Sequence, residues 1–234
     1  MESKRKCDPE LGRKVNDYLI GLGLETPMTG VRKNYDSEAA IESIKGNMTE
    51  IMTSLGLDLK DDSLQDTPKR VAQMFVNEIF WGLDYDRFPK CTKIENKMNY
   101  KGSFVLERNI NVQSYCEHHF IVIDGVASVA YLPGKYVLGL SKLNRIVQFF
   151  SKRPQVQERL TEQIRAAIAF VAKTEDVAVQ IDGAHFCVKS RGIQALRART
   201  ATFSASGVFS EGSQRQEFLA GCRSLMAKYD IYFT

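Results

Sequence analysis

The chain has 234 residues, 44% hydrophobic and 26% charged, the balance of an ordinary soluble globular protein with one large domain or a core plus an appendage. Its 32 basic and 28 acidic residues leave a net charge of +4, too mild to argue for nucleic acid and suited to a small anionic substrate. No apolar run approaches the roughly 18 residues that span a bilayer, and no apolar stretch follows the basic MESKRKCDPE. Neither a membrane segment nor a secretory signal is therefore expected, and the expected location is the cytoplasm.

In chain order, residues 9–23 carry Leu11, Val15, Tyr18, Leu19 and Leu22 at a helical period. Glu25–Asn34 breaks it and reads as a linker. Asp36 and Ser37 can cap a second helix with Ile41, Ile44, Met48, Ile51, Met52 and Leu55 along one stripe. Thr67 as N-cap and Pro68 in the first turn predict a third helix running to about Phe80. After Tyr100 the texture turns to β-branched and aromatic residues. SFVLERNINVQ and FIVIDGVASVAYL read as strands, with Asp124-Gly125 as a bend or bulge. A helix from near Ser141 follows, then another after Pro154 burying Val156, Leu160, Ile164, Ile168 and Val171. Strands VAVQIDGAHFCVKS and TATFSASGVF precede a short helix around Gln214–Ala227. The chain thus reads as α+β: a helical region over residues 1–100, then a ββααββ core over 101–234.

Five scattered cysteines, Cys7, Cys91, Cys116, Cys187 and Cys222, point to reduced thiols or metal ligands rather than a disulfide framework. The three histidines join two of these cysteines in two short clusters. Cys116 and His119 stand three apart in a turn, a spacing that lets a thiolate and an imidazole converge on one cation. His185 and Cys187 stand two apart on an expected strand, which would put both on one face. Cys116, His119 and Cys187 are the soft, deprotonatable set. Three protein ligands leave a fourth tetrahedral position for water, the pattern of a catalytic rather than a structural zinc. A structural zinc would need a fourth ligand from Cys7, Cys91 or Cys222. Taken singly, His118 reads as a solvated turn residue and His185 as a hydrogen-bonded core histidine; beside a metal, both are candidate proton carriers.

Ser141, Lys142 and Arg145 fall at i, i+1 and i+4 at a helix start, and Arg191 follows Cys187 closely. Together they read either as a phosphate cradle or as a solvated basic face. Glu158, beside Gln157, either complements the helix dipole or accepts hydrogen bonds from an amidine-like edge such as that of guanine.

The segments CEHHF, GLSKLNRIVQFFSKRPQVQERLT, HFCVKSRG and ATFSASGVF, in this order and spacing, resemble the zinc-dependent GTP cyclohydrolase I family, its bacterial branch in particular. The likeness extends to ETP, the segment from MTEIM through LQDTPKR, and EIFWGLDYDRFPK. It implies the tunnelling fold: a ββααββ antiparallel sheet with helices on one face, behind an N-terminal helical extension. It also implies a homodecamer of two pentamers with active sites between subunits. The implied reaction converts GTP and water to 7,8-dihydroneopterin triphosphate and formate: attack of zinc-bound water on guanine C8, ring opening, deformylation, sugar rearrangement and reclosure. Matched residue by residue, Cys116, His119 and Cys187 correspond to the zinc ligands, and His118 and His185 to the acid–base histidines. Glu158 corresponds to the guanine anchor, helped by Gln157. Ser141, Lys142, Arg145, Arg191 and Arg70 correspond to positions that hold triphosphate or ribose. Gln73 stands where the bacterial pattern has a phosphate-binding lysine, one cation fewer in the cradle. Another zinc-dependent pterin or purine enzyme on the same fold would lack the pairing of SKLNR with QVQER.

Overall fold

The computed structural model describes residues 6–29, 36–100 and 103–223. The first helix, α1 (Pro9–Gly21), starts where the sequence says it should. Asp8 accepts the Leu11 amide at 3.0 Å, and Pro9 fills the first turn. In α2 (Ser37–Ser54) Asp36 does the same work, its carboxylate accepting the Glu38 and Ala39 amides at 2.9 and 3.3 Å. The stretch between them has no regular structure through residue 29; the rest of the expected linker lies outside the described residues.

The third helix departs from expectation in its winding. α3 (Thr67–Gln73) begins one residue after Asp66, which holds the cap position in place of Thr67 and makes no side-chain cap bond. The helical path does reach Phe80, but over Met74–Ile79 it loosens to a π turn. The wider turn sets Phe75 and Phe80 in one aromatic group with Tyr115 and Phe120, with ring centroids 5.2–6.2 Å apart.

β1 (Lys93–Glu95) pairs with β4 (Tyr136–Leu138) in a separate two-stranded sheet. The main sheet is built from β2 (Val105–Cys116), β3 (Val122–Tyr131), β6 (Val177–His185) and β7 (Thr200–Ser206), paired antiparallel in that spatial order. Between β3 and β6 in sequence come α4 (Leu140–Ser151) and α5 (Gln157–Ala172), so the ββααββ order holds. Two features correct the expectation of an antiparallel sheet with helices on one face. A two-residue strand, β5 (Pro154–Gln155), joins the free edge of β2 in parallel. A last helix, α7 (Gly212–Arg223), packs with Phe209 and Phe218 against Ala130 and Ala178 on the face opposite α5. Small side chains there leave room for the rings. Beyond Arg223 the expected helix lies outside the described residues.

No bulge occurs at Asp124-Gly125. The pair keeps regular register with Gln113 and Val112, and the irregularity falls in β2 between Glu107 and Ile110. Gly125 is needed for a different reason: a Cβ there would stand 2.2 Å from the Asp182 carbonyl oxygen of β6.

The core lies between the sheet and α4–α5. It takes Ile110 and Val112 from β2, Ala127, Val129 and Tyr131 from β3, and Val177, Val179 and Ile181 from β6. α5 is buried on nearly every side, Leu160, Ile164, Ile168 and Val171 fully so. Val15, Leu19 and Phe88 belong to the same core, so α1 is packed directly onto it. Arg153 is wholly buried and, among the described residues, has no carboxylate partner. It donates to the carbonyl of Gly82 and to Tyr85 and Thr26, within 4.7–5.1 Å of the rings of Tyr85, Phe149 and Phe150. Among the described residues, no helix is long and apolar enough to cross a membrane.

Candidate active site

Strand β2 ends at Cys116, and the chain reverses through a tight turn. The Cys116 carbonyl accepts the His119 and Phe120 amides at 3.3 and 2.8 Å, and the Cys116 amide donates to Ile121 at 2.9 Å. Phe120 takes a positive φ of 54° to close the turn, its ring held by Phe75 and Phe80. This geometry brings His119 Nδ1 to 3.8 Å from Cys116 Sγ. A bidentate ion pair fastens the turn to α5: Arg159 donates to both oxygens of Glu117 at 2.9 and 3.0 Å. Neither residue stands out in the sequence, although Glu117 sits inside the metal-ligand spacing.

The second cluster arrives differently from expectation. Strand β6 stops at His185, and Phe186–Lys189 forms one helical turn, α6. His185 and Cys187 therefore do not share a strand face. The turn swings Cys187 toward Cys116, so that ligand atoms of Cys116, His119 and Cys187 all lie within 4.8 Å of one another. Among the described residues this is the one group of three or more potential ligands; Cys7, Cys91 and Cys222 are not part of it. Two thiols and an imidazole at this spacing fit a tetrahedral ion with one position left open. Burial and the adjacent Cys116 thiol push the Cys187 thiol up from its ordinary value, a cost that a bound cation would reverse.

His185 is placed by Gln157, the first residue of α5, which is 1% exposed. The Gln157 amide nitrogen donates to the Ile181 and Thr200 carbonyls at 3.2 and 2.8 Å and to Thr202 Oγ1 at 3.1 Å. Its oxygen is left to accept, and it faces His185 Nε2 at 2.8 Å. That assigns the proton to Nε2 and leaves Nδ1 for other work. Gly183 makes the approach feasible, since a Cβ there would stand 2.6 Å from the Gln157 oxygen. Burial holds the His185 imidazole below its usual pKa, opposed by the charge of Glu158.

Cys116, His118, His119, Gln157, Glu158, His185, Cys187 and Arg191 all line one cleft of about 390 Å³. Arg191 lies 3.1 Å from His119 Nε2. Gln155 lines it too and went unnoticed in the sequence. It is fully buried, donating to Phe150 O and Gln163 Oε1, while its own oxygen has no partner among the described residues.

The cleft thus joins two cysteines, three histidines, an exposed glutamate and an arginine, in the segments that carried the resemblance. The family model described as GTP cyclohydrolase I matches residues 44–223. A protein of Erwinia tasmaniensis named GTP cyclohydrolase 1 is 54% identical over 210 residues, covering 89% of this chain and 95% of its own. Proteins of the same name from Salmonella gallinarum and Klebsiella pneumoniae are 54% identical, each over 89% of this chain and 94% of theirs. The chain belongs to the GTP cyclohydrolase I family.

Not every residue matched to that family reaches the cleft within one chain. Ser141, Lys142 and Arg145 sit on the first turns of α4 and do not line it. Instead, the charges of Lys142 and Arg145 act on Cys91. Arg70 of α3 is exposed and donates to Ser63 O at 3.0 Å and Thr67 Oγ1 at 3.2 Å.

Proposed function

We propose that this chain is a GTP cyclohydrolase I, converting GTP and water to 7,8-dihydroneopterin triphosphate and formate. The observation that carries the proposal is the convergence of Cys116, His119 and Cys187 in one cleft with His185 and Glu158. Cys116, His119 and Cys187 would hold zinc, which supplies Lewis acidity that makes water nucleophilic near neutral pH.

The remaining chemistry falls to the side chains. Glu158 is exposed at the start of α5, where its two oxygens can accept the N1–H and amino group of guanine and fix the base in the cleft. His185 presents Nδ1 for proton exchange while Gln157 holds Nε2–H, so the imidazole keeps one orientation as it donates to the opening ring. Its depressed pKa favours the neutral form, able to take a proton before giving it. His118, exposed beside the ligand turn, is the second proton carrier. Arg191 is placed to meet ribose or phosphate.

The triphosphate needs more cations than one chain brings to the cleft. Ser141, Lys142, Arg145 and Arg70 would come from a neighbouring subunit, as expected for a homodecamer of two pentamers with shared sites. To test the activity, the purified zinc-loaded protein is incubated with GTP. Formate and, after oxidation, a fluorescent pterin are expected in equal amounts. Zinc-loaded protein that releases no formate would overturn the proposal.

A further inference from the structure

A second recess, of about 630 Å³, lies at the opposite end of α5 from the cleft. α5 runs 16 residues from Gln157 to Ala172, so about 24 Å of helix separates the two. Leu11 of α1 and Ala169 of α5 form apolar wall. Tyr18 and Phe170 add two partly exposed rings, their centroids 5.0 Å apart.

Three ammonium groups line the same recess from separate elements: Lys14 on α1, Lys93 on β1 and Lys173 just past α5. Lys14 is already paired with Glu10 at 2.6 Å. Lys93 and Lys173 have no ion-pair partner among the described residues, and Glu175, which also lines the recess, pairs with neither. A lysine at a helix C-terminus ordinarily complements the dipole, and that accounts for Lys173. It does not account for Lys93, which enters from β1, is half-buried and stands 5.7 Å from the Tyr136 ring centroid. Burial, and next the charge of Lys173, hold the Lys93 amine below its usual value. Two cations thus share the recess without a direct ion pair, although the Glu175 carboxylate lines it too, and a bound anion between them would relieve their repulsion.

We propose that this recess binds a small aromatic anion, a flat ring bearing a phosphate or carboxylate, with the ring against Tyr18 and Phe170 and the anionic group between Lys93 and Lys173. Its volume lies within the roughly 300–1,000 Å³ of small-molecule sites, far more than a bare inorganic anion fills. The site is separate from the cleft, so it stands or falls independently of the reaction proposed there.

The test is calorimetric titration of the full chain with adenosine monophosphate, 4-hydroxybenzoate and inorganic phosphate. At least one of the two aromatic anions should bind once per chain, and which one does tells phosphate from carboxylate. Lys93→Met with Lys173→Met should weaken that binding about tenfold or more, while Glu158→Ala, in the cleft, leaves it unchanged. The double variant should unfold within about two degrees of the parent, because the lost repulsion offsets the small loss of the Lys173 helix-dipole and Lys93–Tyr136 ring interactions. Four outcomes would overturn the proposal. Neither aromatic anion binds; binding survives the double substitution; phosphate alone binds as tightly; or the double variant unfolds several degrees lower, making the lysines part of the fold.

Discussion

At the scale of single residues, burial decides which thiols outside the site stay protonated. Cys91 is half-buried, and burial raises its thiol from an ordinary 9.0 to about 12. A raised thiol is neutral in the folded protein, so its stabilising contribution is complete below pH 9 and is lost as the pH climbs toward 12. Iodoacetamide at pH 8.5 should therefore leave Cys91 unmodified in the folded chain and modify it after unfolding in urea. Mass mapping of the alkylated peptides checks this, and rapid labelling of Cys91 in the folded state would refute it. The group that could hold a metal, Cys116, His119 and Cys187, was legible as spacing, in two clusters that contain every histidine of the chain. The task of Gln157 was not, because its partners Ile181, Thr200 and Thr202 lie on strands that only the folded sheet brings to it. The expected strand pair His185 and Cys187 failed for a related reason. Strand and single helical turn are equally open to the short run AHFCVKS until the surroundings decide.

At the scale of elements, close backbone approach decides more than propensity. Gly125 looked like a bend and is instead the point where β3 must clear the Asp182 carbonyl of β6. Gly125→Ala should destabilise the protein by about 2–4 kcal/mol, read as a lower urea midpoint with an unchanged slope; a shift of under about 0.5 kcal/mol would remove this account of the glycine. The caps of α1 and α2 and the order ββααββ were readable because they rest on local chemistry and hydrophobic period. The π turn at Met74–Ile79 and the placement of α7 on the second face were not. They answer to aromatic contacts with Phe120 and to small residues at Ala130 and Ala178, which are far apart in sequence.

At the scale of the whole molecule, the buried Arg153 ties the segments around Thr26 and Gly82–Tyr85 to the sheet-and-helix core. Arg153→Ala strands those acceptors and opens a void, so a loss of about 2–4 kcal/mol is expected, measured as a fall in Tm. An unchanged Tm would show that the contacts do not matter. The split between cleft residues and the α4 cations predicts that two inactive variants, Arg145→Ala and His185→Ala, regain turnover when dissociated and reassembled together. No recovery would argue that each site is built from one chain. The central claim is that His185 moves protons beside a metal it does not hold. It is tested most directly by formate release from GTP in His185→Ala protein with zinc content measured on the same sample. The account predicts full zinc and turnover reduced by about 10²–10⁴-fold; full zinc with parental turnover would contradict it.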